Sequence, residues 1–237
     1  MFRIISIPTP VFVIALFIFL FSCESSKYDP PKTPEETIAS FTLPPGFVAE
    51  VFAAEPFVAD PVEMIFDQKG RCYVVEMPDY PFKPEAGKGM GKIKQLFDDN
   101  NDGRIDRSVI FADHISEATS VHPWKDGLLV AAAPNISWLK DTNGDGKADS
   151  TEILFSGFFE NNSEAQITNL KFMPDNWIYA SNNGQAGEIT YHRAPDRGKI
   201  SVAGADFRFR LDRDEYELVS GPAQFGQSFN DRIHKFV

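Results

Sequence analysis

A short unit that recurs about every 50 residues constrains the fold of this chain more than any other feature. In each copy an apolar residue is followed by a tight polar turn and then by a run of β-branched or aromatic residues. The copies read FDQKGRCYVVE (66–76), HPWKDGLLVAA (122–132) and FMPDNWIYASN (172–182). Repeats of about 40 to 50 residues that each hold four short strands are typical of β-propeller blades. The sequence therefore predicts an all-β chain with a β-propeller architecture.

The rest of the chain from residue 41 onward fits the same class. Further strand-like runs occur at 47–53 and 207–212, and Gly, Pro, Asp and Asn separate the runs. No segment has a capped apolar stripe with the period of a helix. The partial propeller, residues 41–237, has room for about four blades. Because an open ring leaves sheet edges exposed, we expect this chain to be the N-terminal part of a longer protein or to end early.

A second repeated element lies between these units and consists of closely spaced acidic and amide residues. It reads DDNNDGRID at 98–106 and DTNGDGKAD at 141–149. Oxygen ligands at alternating positions before a glycine are typical of a loop that binds a hard cation, most naturally Ca²⁺. Without an ion, two carboxylates about 4 Å apart repel each other by roughly 4 kcal/mol. The predicted ligands, two of them through their backbone carbonyls (Arg104 and Lys147), are Asp98, Asn100, Asp102, Arg104, Asp106, Asp141, Asn143, Asp145, Lys147 and Asp149.

Two other interpretations of the acidic element stay open. The second copy also fits the EF-hand pattern, since Glu152 stands at its twelfth position, whereas the first copy has Val109 there. An EF-hand needs flanking helices, and the flanking segments have β character, so we expect calcium loops on β-hairpins. Alternatively, both copies are plain Asn/Asp/Gly turns with solvated carboxylates.

The N-terminus predicts export and attachment to a membrane. Arg3 precedes an apolar run from Val11 to Phe21, which has the length of a signal-peptide core and is too short to span a bilayer. Leu20-Phe21-Ser22-Cys23 resembles a bacterial lipobox, which implies a lipoprotein signal peptide (1–22) and lipidation of Cys23; an ordinary signal peptide is the alternative. Residues 23–40 are polar and Pro-rich and predict a disordered tether. We therefore expect a lipid-anchored protein of a bacterial cell envelope, on the periplasmic face or in the outer membrane.

Charge and cysteine content narrow the chemistry. The formal net charge is -11, which argues against nucleic acid as a partner because a phosphate binder needs a basic face. After removal of residues 1–22 the only thiol besides Cys23 is Cys72, which lies in an apolar run. We expect Cys72 to be a buried structural thiol.

Several segments together resemble one family of secreted proteins. They are LPPGFVAEVFAAEP (43–56), DPVEMIFDQKGRCYVVEMPDYP (60–81), WLKDTNGDGKADSTEILFSGF (138–158), NLKFMPDNWIYASNNG (169–184) and ADFRFRLDRDEYELVSGPAQFGQSF (205–229). They resemble the membrane-bound dehydrogenase-type propeller domain of planctomycetes, verrucomicrobia and bacteroidetes. That family is similar to the soluble quinoprotein glucose and sorbosone dehydrogenases. The resemblance covers about residues 40 to 231 and ends at Arg232.

The resemblance implies a six-bladed propeller and a possible quinone-dependent oxidation of a sugar or another alcohol. Pyrroloquinoline quinone would be the cofactor, and a cytochrome c would be a possible electron acceptor. His122, in ATSVHPWKDG, stands where the glucose dehydrogenases carry a general base, and the alternative is an ordinary turn histidine. A second interpretation of the whole chain is a non-catalytic propeller that binds a glycan or a protein, with aromatic residues that stack on sugar rings (Trp124, Trp138, Trp177, Tyr80 and Tyr191).

Overall fold

The computed structural model describes residues 28–85 and 87–237. The chain divides into two compact units, one ending at Val51 and one running from Phe52 to Val237. The described part of the first unit contains one short helix, α1 (Pro34–Ala39). Thr33 accepts a hydrogen bond from the Glu36 N–H at 3.1 Å, and the Glu36 carboxylate accepts one from the Thr33 N–H at 2.8 Å. The predicted disordered tether (23–40) therefore contains a helical segment. This capping box stabilises it, and the composition did not predict it.

The predicted membrane attachment falls outside the described residues. The signal peptide (1–22) and the lipidation site Cys23 both precede residue 28. Between residue 28 and the last residue, Ala86 left aside, no helix is both long and apolar enough to cross a membrane.

Apart from one 3-10 turn, the regular secondary structure of the described part of the second unit consists of antiparallel β-strands, which confirms the all-β prediction. Its strands are β1 (Pro61–Phe66), β2 (Cys72–Glu76), β3 (Gly91–Phe97), β4 (Arg107–Ile115), β5 (Ala118–Trp124), β6 (Gly127–Ala132), β7 (Asn135–Lys140), β8 (Ser150–Ser156), β9 (Thr168–Phe172), β10 (Ile178–Ser181), β11 (Glu188–Tyr191), β12 (Ile200–Ser201), β13 (Asp206–Arg210), β14 (Glu215–Val219), β15 (Ser228–Phe229) and β16 (Lys235–Phe236). A 3-10 turn at Pro195–Arg197 follows β11.

The three recurring units of the sequence each form a β-hairpin. The polar turns join β1 to β2, β5 to β6 and β9 to β10. Gly70 and Asn176 have positive φ values of 77° and 63°, which a tight turn of this kind requires. In the first turn one Asp67 oxygen accepts from the N–H groups of both Lys69 and Arg71. Turn chemistry that is local in the sequence was therefore sufficient to predict these hairpins.

Each hairpin begins a four-stranded meander. The first sheet has the order β1-β2-β3-β4, and the third has β9-β10-β13-β14. The second contains β5-β6-β7-β8 and two further strands, because the hairpin β11–β12 leaves the third unit and pairs with the outer edge of β8. Strands β15 and β16 form a separate hairpin. None of these sheets closes on itself within the described residues.

One predicted strand is wrong. Residues 47–53 have the composition of a strand but form none. Phe52 O accepts a hydrogen bond from Ile105 N–H at 2.8 Å, yet no strand of the described residues pairs along this segment. Strand composition without a partner strand does not produce a ladder.

The apolar core lies between adjacent sheets. Tyr73, Ile93 and Phe111 pack with residues of β5 and β6 between the first and second sheets. Phe155 and Phe207 are fully buried in the cluster between the second and third sheets, with ring centroids 5.1 Å apart. Burial of these large side chains against the next sheet holds the meanders side by side.

The first strands of successive sheets are joined by side chains rather than by a backbone ladder. Glu63 accepts a hydrogen bond from Val121 N–H at 2.7 Å, Ser120 accepts from Leu170 N–H at 2.8 Å, and Asn169 accepts from Gln227 N–H at 2.9 Å. The three acceptors stand at the same distance before the turn of their own unit. We call these bonds the inter-sheet clamps. The clamps recur because the sequence unit recurs. Each provides a hydrogen-bond acceptor for a backbone N–H on the free edge of the next segment.

We expect Ser120→Ala to lower the free energy of unfolding by about 1.5 kcal/mol, because it leaves the buried Leu170 N–H without its acceptor. Urea denaturation at neutral pH measures this loss. Ser201→Ala, at an exposed position of β12, is the control and should change little. Equal stabilities of the two variants would contradict the role of the clamp.

Candidate functional site

A cavity of about 610 Å³ lies where β1, β5 and β9 begin. We call it the inner-strand cavity. Its lining combines the first residues of these strands with residues that follow β2, precede β9 and precede β15. The lining residues are Asp60, Pro61, Val62, Met77, Pro78, Tyr80, Thr119, Ser163, Glu164, Gln166, Thr168, Gln224 and Phe225. A cavity of this size, open on one side, suits a small ligand.

Gln166 is the most informative residue of this cavity. Its side chain is only 2% exposed, and neither its amide oxygen nor its amide nitrogen has a hydrogen-bond partner. Buried amides are normally paired, because an unpaired one loses its hydration without compensation. Within the protein the carboxamide of Gln166 therefore has an unfilled donor and an unfilled acceptor next to the cavity, and because both atoms are shielded from it, a ligand can reach them only if the side chain turns. Sequence reasoning missed this residue, since NSEAQITNL reads as an ordinary polar connection.

The cavity is acidic and partly aromatic. Among its lining residues Asp60 and Glu164 carry carboxylates, and none is Lys, Arg or His. Tyr80 donates a short hydrogen bond to Glu164, and this bond raises the pKa of Tyr80. The Tyr80 and Phe225 rings remain 48% and 73% exposed. The lining thus suits a neutral or cationic ligand with an apolar face and opposes an anionic one.

Thr119 and Thr168 fix the floor of the cavity. Thr119 Oγ1 donates to Ile167 O at 2.5 Å, and Thr168 Oγ1 donates to Thr119 O at 3.1 Å. These reciprocal bonds join β5 and β9 directly beside the cavity. They hold the backbone of Ile167, the residue that follows Gln166.

Glu63 lies on β1 next to the cavity-lining Val62, and burial strongly perturbs its carboxyl. Burial raises the pKa of Glu63 to about 7, while hydrogen bonds from Ser120 and Val121 and the charge of Lys171 act in the opposite direction. A carboxyl with such a pKa exchanges protons near neutral pH. The sequence already sets Glu63 apart, because the equivalent positions of the other two repeated units carry the neutral residues Ser120 and Asn169.

His122 is on β5 but does not line the inner-strand cavity. Burial lowers its pKa to about 4, and its Nδ1 has no hydrogen-bond partner. The ring is stacked near Phe172, with centroids 6.4 Å apart. His122 is thus neutral at physiological pH, and its predicted role as a general base remains a prediction.

Of the aromatic residues that the sequence suggested for sugar stacking, Tyr80 alone lines this cavity. Tyr191 and Trp138 are buried, and Trp177 lies under the guanidinium of Arg208 at 4.4 Å. Trp124 packs at the edge of the core between the second and third sheets. Cys72 is 3% exposed, and burial raises its pKa to about 11, as a structural thiol requires.

The first acidic loop joins β3 to β4. One Asp98 oxygen accepts from Gly103 N–H at 2.8 Å, Asn100 accepts from Asp102 N–H at 2.8 Å, and Asp102 accepts from Arg104 N–H at 2.9 Å. Asp106 closes the loop, because its carboxylate accepts a hydrogen bond from Asp99 N–H at 2.8 Å.

The second acidic loop joins β7 to β8 and repeats this pattern. Asp141 accepts from Gly146 N–H at 2.9 Å, Asn143 from Asp145 N–H at 2.8 Å, and Asp145 from Lys147 N–H at 2.9 Å. Asp149 accepts from both the N–H and the hydroxyl of Thr142, which lowers its pKa.

The loops bear on the metal prediction in two ways. Backbone N–H groups, which the sequence argument left out, hold the carboxylates close together, so the cluster does not depend on an ion alone. In the part of the chain that the structure describes, no three His, Cys, Asp or Glu side chains are arranged to hold a metal ion. The donor set still consists of hard oxygens, and this chemistry fits Ca²⁺.

The flanking structure decides between the two types of calcium loop. Both loops join β-strands, and Glu152, the twelfth position of the EF-hand pattern, is bound by Arg193 at 2.6 and 2.9 Å. Strands rather than helices on both sides exclude an EF-hand.

The cavity does not fit pyrroloquinoline quinone. That cofactor carries several carboxylates, whereas the lining supplies the carboxylates of Asp60 and Glu164 and no cationic side chain. Lys171, the cation of β9, donates to Gln227 O at 3.3 Å and lines none of this cavity. Repulsion between these two carboxylates and the carboxylates of the cofactor opposes its binding.

Comparisons with known proteins identify the family. A search of the curated proteins finds no match. A family described as a domain of unknown function (DUF7133) matches residues 33–237, which covers most of the chain. The chain therefore belongs to the DUF7133 domain family.

Proposed function

We propose that this chain forms β-propeller blades of a lipid-anchored protein of a bacterial cell envelope and binds a carbohydrate in the inner-strand cavity. The propeller is supported by three successive four-stranded meanders, whose first strands lie side by side and share the inter-sheet clamps. The hairpin β15–β16 begins a fourth repeat. The ring of six blades follows from the resemblance to the dehydrogenase-type propellers, and the anchor follows from the lipobox at Cys23.

The unpaired carboxamide of Gln166 is the observation that carries the carbohydrate proposal. Sugar hydroxyls both donate and accept hydrogen bonds, so one hydroxyl pair can satisfy both amide atoms. The exposed faces of Tyr80 and Phe225 suit the apolar face of a pyranose ring. The acidic lining disfavours phosphorylated or carboxylated sugars.

We further propose that the two acidic loops bind calcium. Both loops present the same sequence of hard oxygens, and each also contacts a neighbouring segment, with Ile105 N–H bound to Phe52 O and Ala148 N–H to Phe111 O. An ion in either loop would therefore stabilise the packing between segments as well as the loop itself.

Oxidation of a sugar or another alcohol, with a quinone cofactor and a cytochrome c acceptor, is the second candidate function. It is supported by the resemblance described above, whereas Glu63, whose pKa burial raises to about 7, is bound by Val121 N–H and does not itself line the cavity. The acidic lining of the cavity counts against the quinone. A dye-reduction assay with sugars, calcium and the cofactor distinguishes this candidate from simple binding.

Replacement of Gln166 tests the binding proposal. We expect Gln166→Leu to weaken the binding of neutral glucose oligomers at least about tenfold, because the donor and acceptor are lost. The same change should raise the melting temperature, since an unpaired buried amide is replaced by an apolar group. Calorimetric titration and thermal denaturation measure the two effects.

Gln227→Leu is the matched control. Gln227 is also buried with both amide atoms unpaired, but it does not line the cavity. We expect this variant to gain stability without losing affinity. If the two variants bind equally well, Gln166 does not contact the ligand.

A further inference from the structure

The inner-strand cavity is one end of a longer groove. A second cavity of about 470 Å³ shares Tyr80, Ser163 and Glu164 with it. A third cavity of about 700 Å³ shares Lys83, Glu117 and Glu160 with the second. The three cavities therefore adjoin one another, and we call the row that they form the long groove.

Two connecting segments line most of the middle cavity, whereas β4, β6 and β7 line most of the third. One joins β2 to β3, and the other joins β8 to β9. Side-chain bonds hold the segments together, since Tyr80 binds Glu164 and Lys83 Nζ binds a Glu160 oxygen at 2.9 Å. These two bonds lie where one cavity passes into the next, so they divide the groove into three consecutive compartments.

The size of the groove exceeds the needs of a monosaccharide. A cavity of roughly 300 to 1,000 Å³ is a complete small-molecule site, and each of the three compartments falls in that range. A ligand that fills all of them must be an extended molecule with several similar units.

The chemistry of the first compartment continues along the groove. Phe82, in the middle compartment, is 80% exposed, and Asn161 and Asn162 line the same compartment. Acidic residues outnumber basic ones, because Glu117 and Glu160 join Glu164 while Lys83 is already paired. Exposed rings, amides and carboxylates suit a neutral chain of sugars and oppose a polyanion.

We propose that the long groove binds a neutral oligosaccharide that spans several sugars, with its end at Gln166 and its chain passing Phe82. This inference rests on the proposed carbohydrate function and extends it from one sugar to a polymer segment. The buried, unpaired amide of Gln166 supplies the anchoring contact, and the exposed rings supply further contacts with successive sugars.

A length series of probes tests the inference. The purified protein is titrated with α-linked and β-linked glucose oligomers, from the monosaccharide to the hexasaccharide. We expect the affinity in one series to rise at least about tenfold between the monosaccharide and the longest oligomer. Phe82→Ala should abolish this gain and leave monosaccharide binding unchanged.

Phe47→Ala is the control, because Phe47 is similarly exposed but lines none of the three cavities. An affinity that does not depend on length would overturn the long groove and leave the binding of one sugar intact. Absence of binding to every sugar would overturn the proposed function as well. Tight binding of oligolysine in place of glucose oligomers would assign the groove to a cationic peptide and would also overturn the inference.

Discussion

Glu63→Gln is expected to make the protein more stable above about pH 7 and to leave its stability near pH 4 almost unchanged. Burial raises the pKa of Glu63 from its ordinary value of 4.5 to about 7 in the folded protein. Between these values the folded protein binds the proton more tightly than the unfolded chain does. The contribution of Glu63 to stability is therefore present at low pH and is lost as the pH rises through about 7.

The size of the effect follows from the difference between the two pKa values. A difference of this size corresponds to roughly 3 kcal/mol, and residual exposure of the side chain reduces it to about 2 kcal/mol. Glutamine keeps the acceptor for Val121 N–H but carries no charge. Urea denaturation of both proteins across the pH range should give curves that diverge above about pH 4.5 and become parallel above about pH 7.

Glu152→Gln is a control whose effect on stability at neutral pH should have the opposite sign. The hydrogen bond and charge of Arg193 lower the pKa of Glu152, so its contribution is present at neutral pH and is lost in acid. We expect Glu152→Gln to destabilise the protein at neutral pH. A constant difference between Glu63→Gln and the unmodified protein at every pH would contradict the burial of an ionisable Glu63.

Loss of calcium from the acidic loops is expected to have an effect of similar size. At a calcium concentration a hundredfold above the dissociation constant, one occupied loop adds about 2.7 kcal/mol to the free energy of unfolding. Asp102→Ala and Asp145→Ala should each remove this gain in calcium buffer. In chelator each should cost only about 1 kcal/mol, for the lost hydrogen bond to Arg104 N–H or Lys147 N–H.

The third sheet supplies the control for the loops. Its hairpin β13–β14 has a short turn in place of the acidic loop, and there Asp212 pairs with Arg210 at 2.8 Å. We expect Asp212→Ala to have the same small effect in calcium and in chelator. If Asp102→Ala and Asp145→Ala also lose equal stability in both buffers, the loops are turns held by their amides and bind no ion.

Local features of the sequence were enough to predict much of the fold. The hairpin turns at Gly70 and Asn176 and the strands that follow them depend on neighbouring residues, and the structure has them where they were expected. The acidic loops also lie between strands, as their flanking composition indicated. The prediction of a strand at 47–53 was wrong for the complementary reason, because a strand needs a partner strand that its own composition does not specify.

The candidate site was harder to predict because its properties arise between distant segments. Gln166 lines a cavity together with Met77 and Phe225, which are distant from it in the sequence, and its unpaired, buried amide is visible only in the folded chain. Glu63 acquires its raised pKa from burial against β5. His122, by contrast, was chosen from a local motif and proves to lie outside the cavity.

The hairpin β11–β12 has a consequence for how the protein assembles. It lies in the chain between β10 and β13 but pairs with β8, so the two halves of the third sheet are separated by strands of the second. Tyr191 of β11 also donates a hydrogen bond to Asp214 in the β13–β14 turn. The connection within the third meander therefore also completes the edge of the second sheet. Because the two neighbours share this segment, we expect them to unfold as a single cooperative unit.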